Sequence, residues 1–344
     1  MNIINARAAI LEKKRKINFY NLKLPKPKKN QALIKIYYSG VCGSQFMEYY
    51  GNRGIDKWLP HMFGHEAVGK VISKGNGVNK IRSNDLVILS WLKKNTKRND
   101  ENGKIKTKKK QINYGPISTF STFSLIDKSR IYKLPKYISL KHASLYGCSI
   151  PTGMGVVLNE ARPNKNKTCL VVGVGAVGIF TLIALKGIGV KKIICMDNNP
   201  KRLNFLKKLG FKNLINSNSA NYEKKLSVIT NAGVDYCFEC SGQAKMITKC
   251  FNYLSRLGKL YFVSHPKSED LISLSPHDLI SGKRIFGSWG GNSKLDTDLL
   301  KFHKVISKSK INIDKIYQLV KFKDIKQLFK NKKKINKPKI ILKF

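Results

Sequence analysis

Acidic residues are scarce in this 344-residue chain: 20 Asp and Glu stand against 66 Lys and Arg, a formal net charge of +46 at pH 7. Such an excess attracts polyanions non-specifically. Arginine is also scarce, only ten of the 66 basic residues. Phosphate and base-edge recognition favours the planar guanidinium fork, and the lysines run along the whole chain rather than in one stripe. The Lys-rich stretch "LKKNTKRNDENGKIKTKKK" (92–110) brings no recognition motif with it. A solvated basic surface is therefore expected, with no specific nucleic-acid partner; a basic nucleic-acid-associated protein, or a non-catalytic NAD-binding one, is the alternative. Long hydrophobic runs are missing too. No stretch of about 18 apolar residues could span a membrane, and the opening "MNIINARAAILEKKRK" is too polar for a signal-peptide core. A cytoplasmic protein is expected. Seven scattered cysteines, an odd number, argue against a disulfide framework and for thiols or metal ligands.

What is present falls into two textures. Up to about residue 149, short apolar runs alternate with turn signals, as in "ALIKIYYSGV", "EAVGKVISKGNGV", "DLVILSW" and "FSTFSLI". That pattern predicts a β-rich domain. Beyond it, "KTCLVVG", "VGIFTLIALKGIG", "KKIICMD", "PKRLNFLKKLG" and "VDYCFECSG" alternate buried-strand and helical segments, which predicts βαβ units on a parallel sheet. The fold class expected is α/β. The tail, from about 292, begins with a helical pattern and ends in the strand-like "PKIILKF".

Within the second texture, "CLVVGVGAVGIFTLIALKGIGVKKIICMD" contains Gly173, Gly175, Ala176, Val177 and Gly178 in the order G-x-G-x-x-G. The motif follows an apolar strand and opens an apolar helix. Its glycines suit a tight turn, backbone approach to a pyrophosphate, and close helix–strand packing. Asp197 ends the next strand, where a carboxylate accepts the ribose hydroxyls of an adenosine and repels a 2′-phosphate. With strand, helix and acid in place, a dinucleotide site for NAD is expected; Arg202 nearby is the one feature that could favour NADP.

"HMFGHEAVG" (61–69) supplies His65 and Glu66, "GVCGSQ" supplies Cys42, and "LYGCSIPTGMG" supplies Cys148. Singly, each cysteine reads as a buried thiol. One His and two Cys from three segments nonetheless make a catalytic zinc set with an open fourth position. Glu66 could visit the metal or orient its ligands. A zinc ion at such a site lowers the pKa of an alcohol hydroxyl.

In order and separation, "GVCGS", "FGHEAVGKV", "GCSIPTG" and "VVGVGAVG" resemble the zinc-dependent medium-chain alcohol dehydrogenases over nearly the whole chain. The resemblance implies a GroES-like catalytic domain (1–149, completed by 292–344) and a Rossmann domain (150–291). It further implies hydride transfer between an alcohol and NAD(P), and a homodimer or homotetramer. Cys42, His65 and Cys148 would hold the zinc with Glu66 beside them. Ser44 would pass the hydroxyl proton, and Thr152 would lie beside the nicotinamide. Arg202 would sit near the adenosine ribose and Lys339 near the pyrophosphate. Three departures stand out. Residues 92–120 contain no cysteine, so no structural zinc is expected and the Lys-rich loop takes its place. Gln45 stands where the family often has an Asp that orients the zinc-bound His. Met47 stands where a proton-conducting His is common. The lost structural-zinc cysteines resemble some sugar and polyol enzymes, and a polar substrate is preferred on that ground.

Other candidates carry less. Cys237 and Cys240 have C-x-x-C spacing inside an expected strand and read as core thiols. His61 faces the cleft or caps the turn before "FGHE". His142, His265, His277 and His303 have no ligand-like company. Trp91 is either a pocket aromatic or a core residue.

Overall fold

The computed structural model describes residues 4–94, 99–100, 102–108, 110–331, 335 and 337–344. The Lys-rich stretch therefore falls partly outside the described residues, at 95–98, 101 and 109.

Two antiparallel-rich sheets build the first texture. In the larger, Gln31–Val41 runs through the middle, paired antiparallel with Glu66–Lys74, with Phe123–Asp127 and with the tail strand Lys339–Lys343. Alternation explains the placement: Ala32, Ile34 and Ile36, with Ala67 and Val71 of the neighbouring strand, point into one buried cluster. Leu86–Ser90 continues the sheet beyond Glu66–Lys74, and Tyr317–Lys321 pairs parallel with the tail strand. The chain's last strand is thus interior to a sheet begun 300 residues earlier.

Where a loop was expected in place of the structural-zinc lobe, the structure has a hairpin, Gly103–Lys106 with Gln111–Tyr114. The cause is alternation that the lysines obscure: Ile105 faces Ile112 across the pair, both are buried, and the lysines beside Ile105 point out to solvent.

The second texture forms a six-stranded parallel sheet in the spatial order Asn213–Asn216, Lys192–Asp197, Thr168–Val172, Val234–Glu239, Leu254–Phe262, Arg284–Gly287. Numbered along the chain, this is 3-2-1-4-5-6, the doubly wound nucleotide-binding order. The order reverses between the strands that begin at Thr168 and Val234, and ligands bind at such switch points. Helix Ala176–Gly187 follows the first strand and is apolar nearly all round, with every residue from Gly178 to Leu185 buried. A helix without a polar face must be covered on both sides. The sheet covers one, and Leu295–Ser309 supplies part of the other through Leu295, Leu299, Phe302 and Ile306. The helical part of the tail therefore packs on the nucleotide-binding layer, and the chain rejoins the β-rich part only at Tyr317.

Among the described residues, no helix is long and apolar enough to cross a membrane.

Candidate active site

Cys42 directly follows the central strand and caps helix Gly43–Tyr50. His65 and Glu66 stand where the neighbouring strand begins, and Cys148 lies between a short 3-10 turn and helix Ser149–Gly155. The fold brings these three segments together. One ligand atom each from Cys42, His65, Glu66 and Cys148 can be chosen so that all lie within 4.8 Å of one another. Cys42 Sγ and Cys148 Sγ are 3.9 Å apart, across 106 residues of sequence. Glu66 and Cys148 are buried while Cys42 and His65 are partly exposed, so the cluster is closed on one side and open on the other.

The polar atoms of the cluster are unsatisfied in a way that fits a metal. His65 Nε2 and Glu66 Oε2 are buried and make no hydrogen bond within the protein, a costly state unless another group meets them. The thiols are polarised against each other. The Cys148 thiol donates to Cys42 and, with His65, holds Cys42 well below the usual thiol range; burial opposes this. Cys148 is pushed the other way, first by that same hydrogen bond and then by burial. Burial is the largest influence on His65 and pulls it down, yet the nearness of Cys42, helped by the Glu66 and Glu48 charges, outweighs it and the net direction is up. Two soft sulfur donors and an imidazole in this arrangement suit Zn²⁺.

Glu66 has a further partner. Lys339, expected near a pyrophosphate, places its ammonium on Glu66 Oε1, and both side chains are fully shut off from solvent. A buried ammonium needs an opposite charge, and the tail strand delivers Lys339 to the carboxylate beside the metal cluster. Room for that carboxylate exists because residue 40 is glycine: a Cβ there would meet Glu66 Cδ at 2.5 Å.

Ser44 is the second residue of the helix that Cys42 caps, and its Oγ is buried without a protein partner. Thr152, in helix Ser149–Gly155, is likewise buried with a free Oγ1. Met47 lies in the same helix as Ser44 and offers no titratable group.

The glycine loop has the anatomy its spacing predicts. Gly173 has φ +85°, and a Cβ there would meet Ser241 N at 2.7 Å. A Cβ at Gly175 would meet nothing within 4 Å, which leaves the space a pyrophosphate needs, and one at Gly178 would meet Gly173 O at 2.0 Å. Ala176 and Val177 open the helix, so their N–H groups belong to the unpaired first turn that favours anions. Asp197 is held by backbone donors, Oδ2 accepting from Val174 N at 2.6 Å and Oδ1 from Asn199 N at 2.8 Å. The Arg202 guanidinium stands 3.3 Å from Asp197.

Sequence reasoning left Trp91 as either a pocket aromatic or a core residue and missed the rest of the aromatic wall of the cleft. Trp91 lies 6.5 Å from the His65 ring, Trp289 packs edge-on against Trp91 at 5.2 Å, and His265 packs on Trp289 at 5.4 Å. Trp289 is 67% exposed, high for so large an apolar side chain. Burial and the Arg53 charge push His265 down from the usual imidazole range, against the Cys42 charge. No local signal marks Trp289 or His265; only the approach of strand ends from two sheets does. His61 lines a cavity of about 670 Å³ that reaches His65 and Gln45, with Nε2 bound to Asp56 at 2.9 Å. Cys237 and Cys240 are buried free thiols in the parallel sheet and its margin. His142 pairs with Asp314 at 3.1 Å.

A doubly wound nucleotide domain joined to a β-rich domain, with a Cys–His–Cys cluster where they meet, defines a two-domain metal-dependent dehydrogenase. The alcohol dehydrogenase GroES-like domain matches residues 28–136, and the zinc-binding dehydrogenase domain matches residues 176–305. Alcohol dehydrogenase-like 5 of Arabidopsis thaliana is 30% identical over 336 residues, covering 88% of this chain and 86% of the relative. Alcohol dehydrogenase 2 of Oryza sativa subsp. japonica is 26% identical, covering 95% and 94%. Among solved structures, benzyl alcohol dehydrogenase from Acinetobacter calcoaceticus superposes with a TM-score of 0.88 at 23% identity over 99% of this chain and 100% of that one. The chain belongs to the zinc-type medium-chain alcohol dehydrogenases, oxidoreductases of alcohol-type substrates that use zinc and a nicotinamide cofactor.

Proposed function

We propose that the protein is an NAD-dependent dehydrogenase of a polar alcohol, polyol or sugar-type substrate, with a single catalytic zinc on Cys42, His65 and Cys148. The observation that carries this reading is the convergence of those ligand atoms with Glu66 within 4.8 Å, open on one side. When bound, zinc supplies Lewis acidity towards the substrate oxygen and NAD accepts the hydride. The chain's own residues do the rest. Ser44, with no competing partner for its Oγ, relays the substrate hydroxyl proton, taking it up as its own hydroxyl proton leaves by way of the cofactor ribose to solvent. Thr152 lies beside the nicotinamide, and the Gly173–Gly178 loop takes the pyrophosphate. Asp197 receives the adenosine ribose, with Arg202 at its edge. Lys339 neutralises Glu66, so that the carboxylate does not compete with the ligands for the metal. Trp91 and Trp289 offer flat apolar faces for the C–H side of a substrate, while the adjoining cavity offers Glu48, Arg53, Asp56 and His61 for its hydroxyls.

In this reading the catalytic domain comprises 1–149 and the tail, the nucleotide domain comprises 150–291, and helix Leu295–Ser309 packs on the latter. The protein works in the cytoplasm as a homodimer or homotetramer.

Cofactor choice tests the reading. NAD should be preferred over NADP by at least about tenfold, about 1.4 kcal/mol, because Asp197 would oppose a 2′-phosphate. Asp197→Ser should narrow or reverse the preference by freeing Arg202. Absorbance of NADH or NADPH on zinc-loaded protein, across a panel of polyols, sugars and simple alcohols, reads both cofactor and substrate class. Equal efficiency with both cofactors in the parent would refute the Asp197 assignment. Salt-dependent DNA binding without turnover would favour the polyanion alternative.

A further inference from the structure

The amide of Gln45 bridges two groups whose demands conflict once His65 binds a metal. Gln45 is buried at the start of helix Gly43–Tyr50. Its Oε1 accepts from the Cys42 backbone N–H at 2.7 Å, and its Nε2 lies 2.6 Å from His65 Nδ1. An amide nitrogen only donates, so in this arrangement His65 Nδ1 is the acceptor. In a neutral imidazole the proton then sits on Nε2. Yet Nε2 is the nitrogen that faces the cluster, for Nδ1 is covered by Gln45. A ligating nitrogen must carry a lone pair, and the other must carry the proton and donate it outward.

Turning the amide over does not resolve this. With Oε1 on a protonated Nδ1, the NH₂ group faces the Cys42 N–H, donor against donor. One hydrogen bond is lost whichever way the amide lies, because a carboxamide has one accepting end and the metal-loaded site asks for two. A carboxylate has two.

We propose that Gln45 is a positioning residue that holds His65 in the non-ligating tautomer when zinc is absent, so that zinc entry breaks one hydrogen bond and the site binds the metal more weakly than its donor set alone would. The proposal rests on the zinc assignment above. It predicts a metal that exchanges readily, in a site whose weakness lies one residue outside the ligands.

The test uses the full-length protein and zinc itself, in competition with a chromophoric chelator at fixed pH. Gln45→Glu, which can accept at both ends, should bind zinc about tenfold or more tightly, the range over which outer partners of ligating histidines act. Added charge alone could tighten binding, so Gln45→Met is the discriminating variant. It removes the competing amide and should bind zinc at least as tightly as the parent. A loss of about tenfold or more in Gln45→Met would show that Gln45 serves the ligand without conflict, and would overturn the proposal. Independently, ¹⁵N resonances of His65 in the zinc-free parent should report the proton on Nε2; finding it on Nδ1 overturns the proposal even if the variants fail to fold. Absence of zinc binding in parent and variants alike would defeat the metal assignment instead.

Discussion

Ser44 and Glu239 are single residues whose surroundings set their chemistry. The Ser44 hydroxyl is buried beside a ligand and bonded to nothing in the protein, which suits a group kept for substrate. Ser44→Ala should slow single-turnover NADH formation by about 10² or more while zinc content and NAD affinity hold, whereas Ser44→Thr should be tolerated. Parental rates in Ser44→Ala would move the proton path elsewhere. Glu239 ends the fourth parallel strand and accepts from Ser241 N at 2.6 Å and from Gly242 N at 3.2 Å. Burial raises its carboxyl from 4.5 to about 7 against those hydrogen bonds. The folded state therefore binds the proton more tightly than the unfolded state does. Its stability contribution is most favourable below pH 4.5 and declines as pH rises through about 7. Glu239→Gln keeps an acceptor and never ionises, so it should melt higher than the parent above pH 7, the gap closing as pH falls towards 4.5. Calorimetric melting at several pH values checks this; a gap independent of pH would mean that Glu239 is not held protonated.

At the scale of elements, helix Ala176–Gly187 meets the sheet at a glycine. A Cβ at residue 178 would come within 2.0 Å of Gly173 O, a backbone atom of the phosphate loop that cannot swing aside. Gly178→Ala should cost about 1–3 kcal/mol of stability, the range for overpacking, and should weaken NAD binding because the loop itself must shift. Urea unfolding and NADH fluorescence titration read the two effects. A stable variant with weakened NAD binding would show the loop yielding alone, and an unchanged variant would mean that helix and loop can separate freely. Gly175, with open space around it, has no such packing reason. The hairpin Gly103–Tyr114 makes the complementary point about polar sequence. Ile105, Ile112 and Tyr114 are buried in one cluster and dock two short strands although lysines surround them.

The whole molecule is held by a core that ignores the boundary between the two textures. Val68, Ile88 and Tyr132 of the β-rich part share one buried cluster with Ile179, Phe180 and Phe302 of the nucleotide-binding layer. The tail strand Lys339–Lys343 closes the larger sheet and brings Lys339 to Glu66. Metal and fold are thus linked through residues far apart in sequence. Purified protein should contain about one zinc per chain, since residues 92–120 offer no cysteine for a second site. Cys148→Ser should lose most metal and activity while remaining folded. Elemental analysis giving two zinc ions per chain, or full turnover from metal-free protein, would contradict the single-site assignment.

The sequence alone determined what depends on local geometry. Spacing placed Gly173, Gly178 and Asp197, because a strand, a tight turn and a helix follow one another along the backbone and each leaves its mark within a few residues. Alternation likewise predicted the strands at Gln31–Val41 and Glu66–Lys74. The ligand trio came from residue types and family likeness, but its meeting was decided by sheet pairing: Ser39 opposite Ala67 and Val41 opposite Ile340 bring Cys42 towards His65 and the Glu66–Lys339 pair. The tertiary structure alone assigned Lys339 to Glu66, across 273 residues, assembled the Trp91–Trp289–His265 wall, and set the Gln45 amide between the Cys42 N–H and His65 Nδ1. No local pattern encodes such contacts, because a side chain's partner across a sheet or cleft depends on register and packing, which nearby sequence does not carry.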